Sequence, residues 1–591
     1  MGFSSSSTST ASSSTPSKAR SWIRGVNLGG WLLAERFITP YLFALNTCQR
    51  NGDWCFYPGQ LSAPSGKKYE ICDLYHCEPH QLDLTHDYPT DEYTLFQSFD
   101  SKSLAKEYMT FHWDNFVTKA DIQALQHAGV THIRVPVPHY IMGDILPTEP
   151  WIDGQWLYFV RLVGWARQYG LQVWIDLHTA PGSQNGFDNS GQMLETATCQ
   201  HWISSDANIN RTIQVIRDIS NAVMKDNLRD VVTGFGILNE PYMDCDINKV
   251  KQFNNDAFQT IRTILGPNAA VYMADSFNAT QWNTGSWWTD PTIYNNTYLD
   301  SHYYHVFAEH ERALNPKQHV AYTCAKLSRE TASCCYQDPP HDTKVSQGIS
   351  RIVGEWSAAF DTLPTERLNE IMSSIAKNGE AVQMSRELSR ERRTFLKQLV
   401  QAQMVTYENV QSGVSSGWFY WTLKMEGGAF AEWDFLRGVT EGWIPQLPEP
   451  HVNSETQFGT CHEIAEATTD DRSIVHEFPD PQTSNTWPGP PIDDDYVVSL
   501  PNDKSSDKLK PKTRADSTSS EQSTDKTESK SVPTGSESKS KSSSSGWRWF
   551  RFFALCFFCY GIWQVFLKNE YGFGRSRTDY TPLTTATHLN I

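Results

Sequence analysis

The chain has 591 residues and a formal net charge of −17, with 39% hydrophobic residues, 21 tryptophans and 24 tyrosines. This length allows two to four domains and a large core, while the acidic balance argues against nucleic acid as a partner. Aromatic rings stack on sugars but more often fill protein cores. Their abundance therefore indicates a globular protein and does not by itself identify a sugar-binding site.

The first ninety residues contain one structured segment between two irregular ones. Residues 1–20 are mostly Ser and Thr; we expect disorder there, and they hold no apolar stretch typical of a secretory signal peptide. A first strand with a glycine-rich exit follows in WIRGVNLGGW, Trp22 to Trp31, and Glu35 comes shortly after it. From about 47 to 89 we expect a loop-rich insertion without a CxxC pair, which favours disulfides over a zinc site. Its cysteines are Cys48, Cys55, Cys72 and Cys77.

Helices and strands alternate from there on. Thr118 begins a helix with Asp121 in the capping-box position, and Gly129 stops it. The strand THIRVPV carries Arg134 near its end, and QVWIDLHTAPGSQNG carries His178 at the C-terminal end of its strand. Taken alone, such an arginine is most often a structural ion-pair partner and such a histidine a hydrogen-bonding residue. Further helices are predicted at about 156–168 and 208–225.

Two short apolar strands each end in a glutamate. In GFGILNEPY the strand Gly234 to Leu238 leads to Glu240, and Pro241 keeps that glutamate out of a helix. In SRIVGEW a second strand ends at Glu355. Either carboxylate alone would be an ordinary loop residue. Two carboxylates presented from two strand ends are what glycoside hydrolysis requires.

The remaining strands complete a set of eight. They are predicted at 270–276, 297–307 and 417–424. Eight strands that alternate with helical or irregular segments predict a parallel (β/α)8 TIM barrel, in which chemistry lies at the C-terminal ends of the strands. The polar and aromatic residues predicted at that end are Glu35, Arg134, His178, Asn239, Glu240, His302, Tyr304, Glu355 and Trp421.

Seven motifs occur in a fixed order: RGVNLGGW, HIRVPV, DLHTAPGSQNGFDNSG, ILNEPY, DSHYYHVF, GEWSAA and GWFYWTLK. In these motifs the chain resembles glycoside hydrolase family 5, specifically its exo-β-1,3-glucanase branch, over roughly residues 21–463. The resemblance implies that Glu240 is the general acid/base and Glu355 the nucleophile of a retaining reaction, without a metal or another cofactor. On this mechanism Glu240 is expected to have a raised pKa and Arg134 to keep Glu355 ionised.

The resemblance also implies binding roles. The cleaved sugar would be bound by Glu35, Arg134, His178, Asn239, His302, Tyr304 and Trp421. Phe187 and Phe307 match an aromatic pair that holds the next glucose, and Cys324 and Cys461 match a disulfide of the family. The chain departs from the family in Tyr303 and His305, where the motif often reads HHYQ, and in the cysteine-bearing insertion.

The composition changes after the barrel domain, 21–464. Residues 465–546 are rich in Asp, Ser, Thr, Pro and Lys and predict a disordered linker. Residues 547–567 contain sixteen mostly apolar residues from Phe552 to Leu567 flanked by Trp and Arg, which predicts a transmembrane helix before a polar tail, 568–591. Sequons at Asn210, Asn278 and Asn295, together with the cysteines, indicate an extracytoplasmic catalytic domain despite the lack of a visible signal peptide.

The function expected from these features is release of glucose from β-1,3-glucan by a membrane-tethered, monomeric exo-acting enzyme of cell-wall metabolism. Two alternatives stay open. One is a related hydrolase acting on β-1,6-glucan, β-1,4-glucan or a glucolipid, which a panel of oligosaccharides would separate. The other is an inactive, membrane-tethered carbohydrate-binding protein, which an assay for released glucose would decide.

Overall fold

The computed structural model describes the barrel region of the chain. The described residues are 21–43, 48–50, 53–55, 89–99, 101–282, 290, 292–331, 350–361, 368, 387–409, 416–428 and 430–474. The predicted N-terminal segment 1–20, most of the insertion, the linker after 474, the membrane segment 547–567 and the tail lie outside them. No helix among the described residues has the length and apolar character needed to cross a bilayer.

Eight parallel strands close into a barrel. These strands are β1 (Ile23–Asn27), β4 (His132–Val137), β5 (Gln172–Leu177), β6 (Val232–Gly236), β7 (Ala270–Ala274), β8 (Thr297–Tyr303), β9 (Ser350–Trp356) and β10 (Gly417–Tyr420). Neighbouring strands follow the order β1-β10-β9-β8-β7-β6-β5-β4, and β4 pairs with β1 to complete the ring. This confirms the predicted (β/α)8 barrel.

Helices follow most of the strands. The helices longer than six residues are α3 (Lys102–Asn115), α4 (Lys119–His127), α5 (Gln155–Tyr169), α7 (Asp206–Lys225), α8 (Ile247–Leu265), α10 (Pro316–Thr331), α11 (Arg390–Tyr407), α12 (Phe435–Glu441) and α14 (Cys461–Ala467). The shorter ones are α1 (Pro40–Phe43), α2 (Glu92–Gln97), α6 (Gln200–Ile203), α9 (Glu309–Arg312) and α13 (Ser454–Phe458). Within the insertion, β2 (Cys48–Arg50) and β3 (Asp53–Cys55) form a separate antiparallel pair.

Local sequence signals explain several helix boundaries. Thr118 caps α4 by accepting from the Asp121 backbone N–H, and the Asp121 side chain accepts from the Thr118 N–H, so the predicted capping box is present. Gly129 has a φ of +90°, which ends the helix in a conformation that favours glycine. The helix α5 likewise ends at Gly170 in the left-handed conformation.

Aromatic side chains and glycines fill the barrel interior together. Trp174, Tyr272, Phe419 and Tyr298 pack there with small and branched residues. Trp174 lies so close to β6 that a Cβ at Gly234 would be 2.5 Å from its ring. The same holds for Gly25 against Phe419 and for Gly236 against Tyr272. Glycine on one strand therefore provides the space for a large ring on the next strand.

The strand boundaries differ from the predicted ones at their C-terminal ends. The strand β7 stops at Ala274 rather than at 276, because Ser276 and Phe277 have positive φ values of 55° and 57° and cannot continue a strand. The strand β6 stops at Gly236, two residues early. Arg134 is the third residue of six in β4, not near its end. The last described segment continues to Ile474.

Candidate active site

Eight of the predicted site residues meet at the C-terminal end of the barrel. Glu355 is the central one among them, because both of its carboxylate oxygens are bound. Arg134 Nη1 donates to Glu355 Oε1 at 2.8 Å, and Tyr304 Oη donates to Glu355 Oε2 at 2.8 Å. Glu355 is only 3% exposed. Its position is therefore set by donors from β4 and from the segment after β8.

Glu240 faces this carboxylate from the segment after β6. Its backbone φ of +47° lies in the left-handed region, where a non-glycine residue is strained. The sequence prediction that Pro241 keeps Glu240 out of a right-handed helix agrees with this conformation. His302 Nδ1 lies 2.7 Å from Glu240 Oε1, and Asn189 Nδ2 donates to Oε2 at 2.9 Å.

The two carboxylates lie within a few ångströms of each other. One oxygen from each of Glu240 and Glu355 and one ring nitrogen of His302 are within 4.8 Å of one another. His302 Nδ1 is also 3.5 Å from Glu355 Oε2, so the imidazole lies between the two acids. Carboxyl groups this close can act on the same bond from opposite sides.

The pKa shifts of the two carboxyls run in opposite directions. Burial, together with the negative charge of Glu240, raises the pKa of Glu355, although His302 and Arg134 oppose this. Burial also acts against ionisation of Glu240, but the hydrogen bonds from His302 and Asn189 outweigh it and lower the pKa of Glu240. This order is the reverse of the sequence expectation, because a positive His302 lies closest to Glu240.

Arg134 organises the layer of polar side chains below the carboxylates. Its second guanidinium nitrogen contacts Asn239 Oδ1 at 2.8 Å and Asp176 Oδ1 at 2.9 Å. His178 Nδ1 lies 2.5 Å from Asp176 Oδ2, and the His178 ring stacks on Trp421 with ring centroids 5.7 Å apart. These residues are buried, so the layer fixes their orientation at the base of the site.

Glu35 lies at the side of this site. It is buried and accepts from the Gly30 backbone N–H at 3.0 Å. Burial, followed by the charges of Asp188 and Glu355, raises the pKa of Glu35 well above its ordinary value. Burial also raises the pKa of Asp188 to about 6, against the opposing charge of Arg36. A carboxyl that stays protonated can donate a hydrogen bond as well as accept one.

Phe187 and Phe307, which are predicted to hold the next glucose, contact different sets of aromatic residues. Phe187 packs edge-on against Tyr242 and Phe277, with centroids 5.7 and 6.2 Å away. Phe307 packs edge-on against Tyr304 at 5.3 Å and is 60% exposed. Exposed aromatic faces beside a polar site provide flat surfaces on which sugar rings can stack.

Sequence reasoning missed several residues that support the site. Asn27 Oδ1 accepts a hydrogen bond from Arg134 Nη1 at 2.8 Å. This residue lies in the motif RGVNLGGW but was not predicted as a site residue. Gln184 donates to the backbone carbonyls of His178 and Asn239 and ties two strand ends together. Asn189 and Asp176 also lie inside quoted motifs but were not singled out. For Asn27 and Asp176, the available signal was a polar residue near the C-terminal end of a buried strand. Gln184 and Asn189 lie further along the chain, in the segment after β5.

Two disulfides link distant parts of the described chain. Cys324 of α10 is bonded to Cys461 of α14, with Cα atoms 5.8 Å apart. Cys199 is bonded to Cys245, with Cα atoms 5.5 Å apart, and sequence reasoning did not pair these two cysteines.

Comparisons with known proteins extend these observations. The family model described as cellulase, glycosyl hydrolase family 5, matches residues 97–385. A glucan 1,3-beta-glucosidase from Yarrowia lipolytica is 30% identical over 441 residues, covering 72% of this chain and 88% of the relative. A glucan 1,3-beta-glucosidase from Blumeria graminis is 30% identical over 459 residues, covering 74% and 90%. The crystal structure of rutinosidase from Aspergillus niger aligns with a TM-score of 0.49 at 18% identity, over 72% of this chain and 98% of that one.

Proposed function

The chain belongs to glycosyl hydrolase family 5, and on this premise we propose that it is a retaining glycoside hydrolase that releases glucose from β-1,3-glucan. The observation that carries the proposal is the pair of buried carboxylates, Glu240 and Glu355, with oxygens within 4.8 Å of each other. Retaining glycosidases hold their two carboxyl groups about 5 Å apart, whereas inverting enzymes leave room for a water between them.

Glu355 is the proposed nucleophile. Its carboxylate attacks the anomeric carbon and forms a covalent glycosyl-enzyme. Arg134 and Tyr304 donate one hydrogen bond to each oxygen, which holds the carboxylate in one orientation. Both donors also favour the ionised form that attack requires, and so oppose the effect of burial on Glu355.

Glu240 is the proposed general acid/base. It protonates the departing oxygen in the first step and takes a proton from water in the second. The proton it needs is available on His302, because the charges of Glu355 and Asp300 outweigh burial and raise the pKa of His302 well above its ordinary value. His302 Nδ1 is 2.7 Å from Glu240 Oε1, which is within hydrogen-bond reach.

The substrate class follows from the relatives. Both curated relatives named above are glucan 1,3-beta-glucosidases, and the alignments cover about nine-tenths of each of them. Under this proposal a terminal glucose is bound by Glu35, Arg134, His178, Asn239, His302, Tyr304 and Trp421. Phe187 and Phe307 would stack on the glucose that leaves.

The location of the enzyme is a further part of the proposal. The two disulfides of the described chain support an oxidising, extracytoplasmic compartment for the catalytic domain. The membrane anchor at 547–567 and the monomeric state remain predictions from the sequence.

The test combines product analysis with two variants. We expect the protein to release glucose from β-1,3-linked oligosaccharides with retention of anomeric configuration, and to act more slowly on β-1,4- and β-1,6-linked ones. Glu240→Gln and Glu355→Gln should each reduce kcat by about 10²–10⁴-fold or more while leaving the melting temperature near that of the wild type. Mass spectrometry with a 2-fluoro glucoside should detect a covalent adduct at Glu355.

Glu107→Gln, an exposed change on α3, is the control and should leave kcat unchanged. Near-normal activity of either folded active-site variant would contradict the assignment of that residue. Inverted products would contradict the retaining mechanism.

A further inference from the structure

A second carboxylate lies directly behind the imidazole that contacts Glu240. Asp300 and His302 are two residues apart on β8, so both side chains point to the same face of the strand, into the barrel. His302 Nε2 is 3.4 Å from Asp300 Oδ2, while the other ring nitrogen, Nδ1, is 2.7 Å from Glu240 Oε1. The three groups form a line from the barrel interior to the active site.

We propose that Asp300 is a positioning residue of the reaction, which acts through His302 to keep a proton beside Glu240. This inference rests on the proposed function, because it assigns to Asp300 a part in general acid catalysis by Glu240.

The packing of the barrel strands fixes the position of the Asp300 side chain. Asp300 is 2% exposed, and the pairing of β8 with β9 shifts register between Ser301 and His302. The Asp300 carboxylate lies against Gly354, where a Cβ would lie 2.2 Å from Asp300 Oδ1. Only glycine at 354, beside Glu355, leaves room for the carboxylate.

Several buried polar atoms around Asp300 and His302 lack a hydrogen-bond partner among the described residues. Asp300 Oδ1, Ser276 Oγ and His302 Nε2 are buried and have no hydrogen-bond partner of good geometry among the described residues. All three residues line a small cavity that also touches Glu240 and Asp275 and has room for about one water molecule. A water there would accept from Ser276 and donate to Asp300, which would complete the support of the carboxylate.

The chemistry depends on which nitrogen of His302 keeps its proton. Asp300 can only accept, so it favours the Nε2–H form and leaves Nδ1 as the atom that exchanges a proton with Glu240. In the first step the Glu240–His302 pair gives one proton to the departing oxygen, and His302 becomes neutral with its remaining proton directed at Asp300. In the second step Glu240 takes one proton from the attacking water, which restores the pair.

Two glucosides separate this role from a structural one. Laminaribiose has a poor leaving group and needs proton donation, whereas 2,4-dinitrophenyl β-glucoside has a leaving group that departs without it. In Asp300→Asn we expect kcat/KM for laminaribiose to fall about 10- to 100-fold, within the range of general acid effects. The value for the dinitrophenyl glucoside should change by less than about threefold. Glu240→Gln should show the same pattern with a larger loss.

Asp256→Asn is the control, because Asp256 is an exposed aspartate on α8 that does not line this cavity. It should leave the ratio of the two kcat/KM values unchanged. An equal loss on both substrates in Asp300→Asn, or the same altered ratio in Asp256→Asn, would overturn the inference. If Asp300→Asn does not fold, the smaller Asp300→Ser provides the same comparison.

The failure of this inference can be told apart from failure of the proposed function. A wild-type protein that is inactive on both glucosides would overturn the proposed function. An active wild type with a uniform loss in Asp300→Asn would overturn only the role of Asp300.

Discussion

Glu240 and Glu355 are the same residue type in one buried site, and their neighbours make them different. Glu355 accepts hydrogen bonds from the Arg134 guanidinium and the Tyr304 phenol, which both act only as donors to it. Glu240 accepts hydrogen bonds from the Asn189 amide and the His302 imidazole, and of these two groups only the imidazole can pass a proton to the carboxylate. The proposed division of roles follows from this difference, because the nucleophile must stay ionised and the acid/base must exchange a proton.

At the residue scale, Phe307 provides a test of substrate placement. Phe307→Ala removes an exposed ring that is proposed to stack on the leaving glucose. We expect binding of a β-1,3-glucan polymer to weaken by about 1–3 kcal/mol, by analogy with other aromatic contacts, as measured by calorimetry on an inactive background. Hydrolysis of an aryl glucoside, which lacks that glucose, should change less.

Leu157→Ala is the control for Phe307→Ala, since Leu157 is an exposed apolar residue on α5 and should have no effect on polymer binding. Equal losses of Phe307→Ala on polymer and aryl glucoside would show that the ring supports the fold instead, through its contact with Tyr304.

At the scale of elements, each barrel strand is shaped by the strand beside it. The glycines of β6 face rings of β5 and β7, so the spacing of these strands depends on having no side chain at Gly234 and Gly236. Likewise, the Asp300 carboxylate of β8 can lie against β9 only because Gly354 has no side chain. These glycines are needed for close packing, not for an unusual backbone conformation.

Gly234→Ala should therefore destabilise the protein. The new methyl would lie 2.5 Å from the Trp174 ring, and such overpacking costs about 1–3 kcal/mol of unfolding free energy. Gly164→Ala is the matched change, because Gly164 lies on the exposed side of helix α5 with nothing within 4 Å. It should stabilise by about 0.5–1 kcal/mol. Urea unfolding measures both, and a stable Gly234→Ala would contradict the packing of glycine against tryptophan.

At the scale of the whole molecule, two disulfides join segments that are distant in the sequence. The bond from Cys324 to Cys461 spans 137 residues and holds α14 against α10. The second bond, Cys199 to Cys245, joins the segments after β5 and β6. Both bonds limit how far the segments around the site can separate when the chain unfolds.

Cys461→Ser should lower the unfolding free energy by roughly 2–5 kcal/mol, because the unfolded chain regains the freedom that the bond removes. The double variant Cys324→Ser/Cys461→Ser should match the single one, since either change breaks the same bond. Mass mapping of unreduced protein from its native host gives the direct measurement. Free alkylation of both sulfurs there would contradict the disulfide and the extracytoplasmic location together.

The sequence by itself determined the alternation of strands and helices, the capping of α4 at Thr118 and the placing of Glu240 and Glu355 at or just beyond the C-terminal ends of two strands. These features depend on residues close together in the chain: a proline after Glu240, an aspartate three residues after Thr118, and short apolar runs. The family motifs are also local, which is why most of the residues that meet at the site could be named from them.

Only the tertiary structure decided which groups touch. Arg134 reaches Glu355 across 221 residues and Asn239 across 105, and these neighbours follow from barrel closure rather than from any local pattern. The same reason explains why Asp300 and the bond between Cys199 and Cys245 were missed, and why the pKa order of Glu240 and Glu355 was expected in reverse. A pKa depends on burial and on charges within a few ångströms, and those distances exist only after β4, β6, β8 and β9 come together.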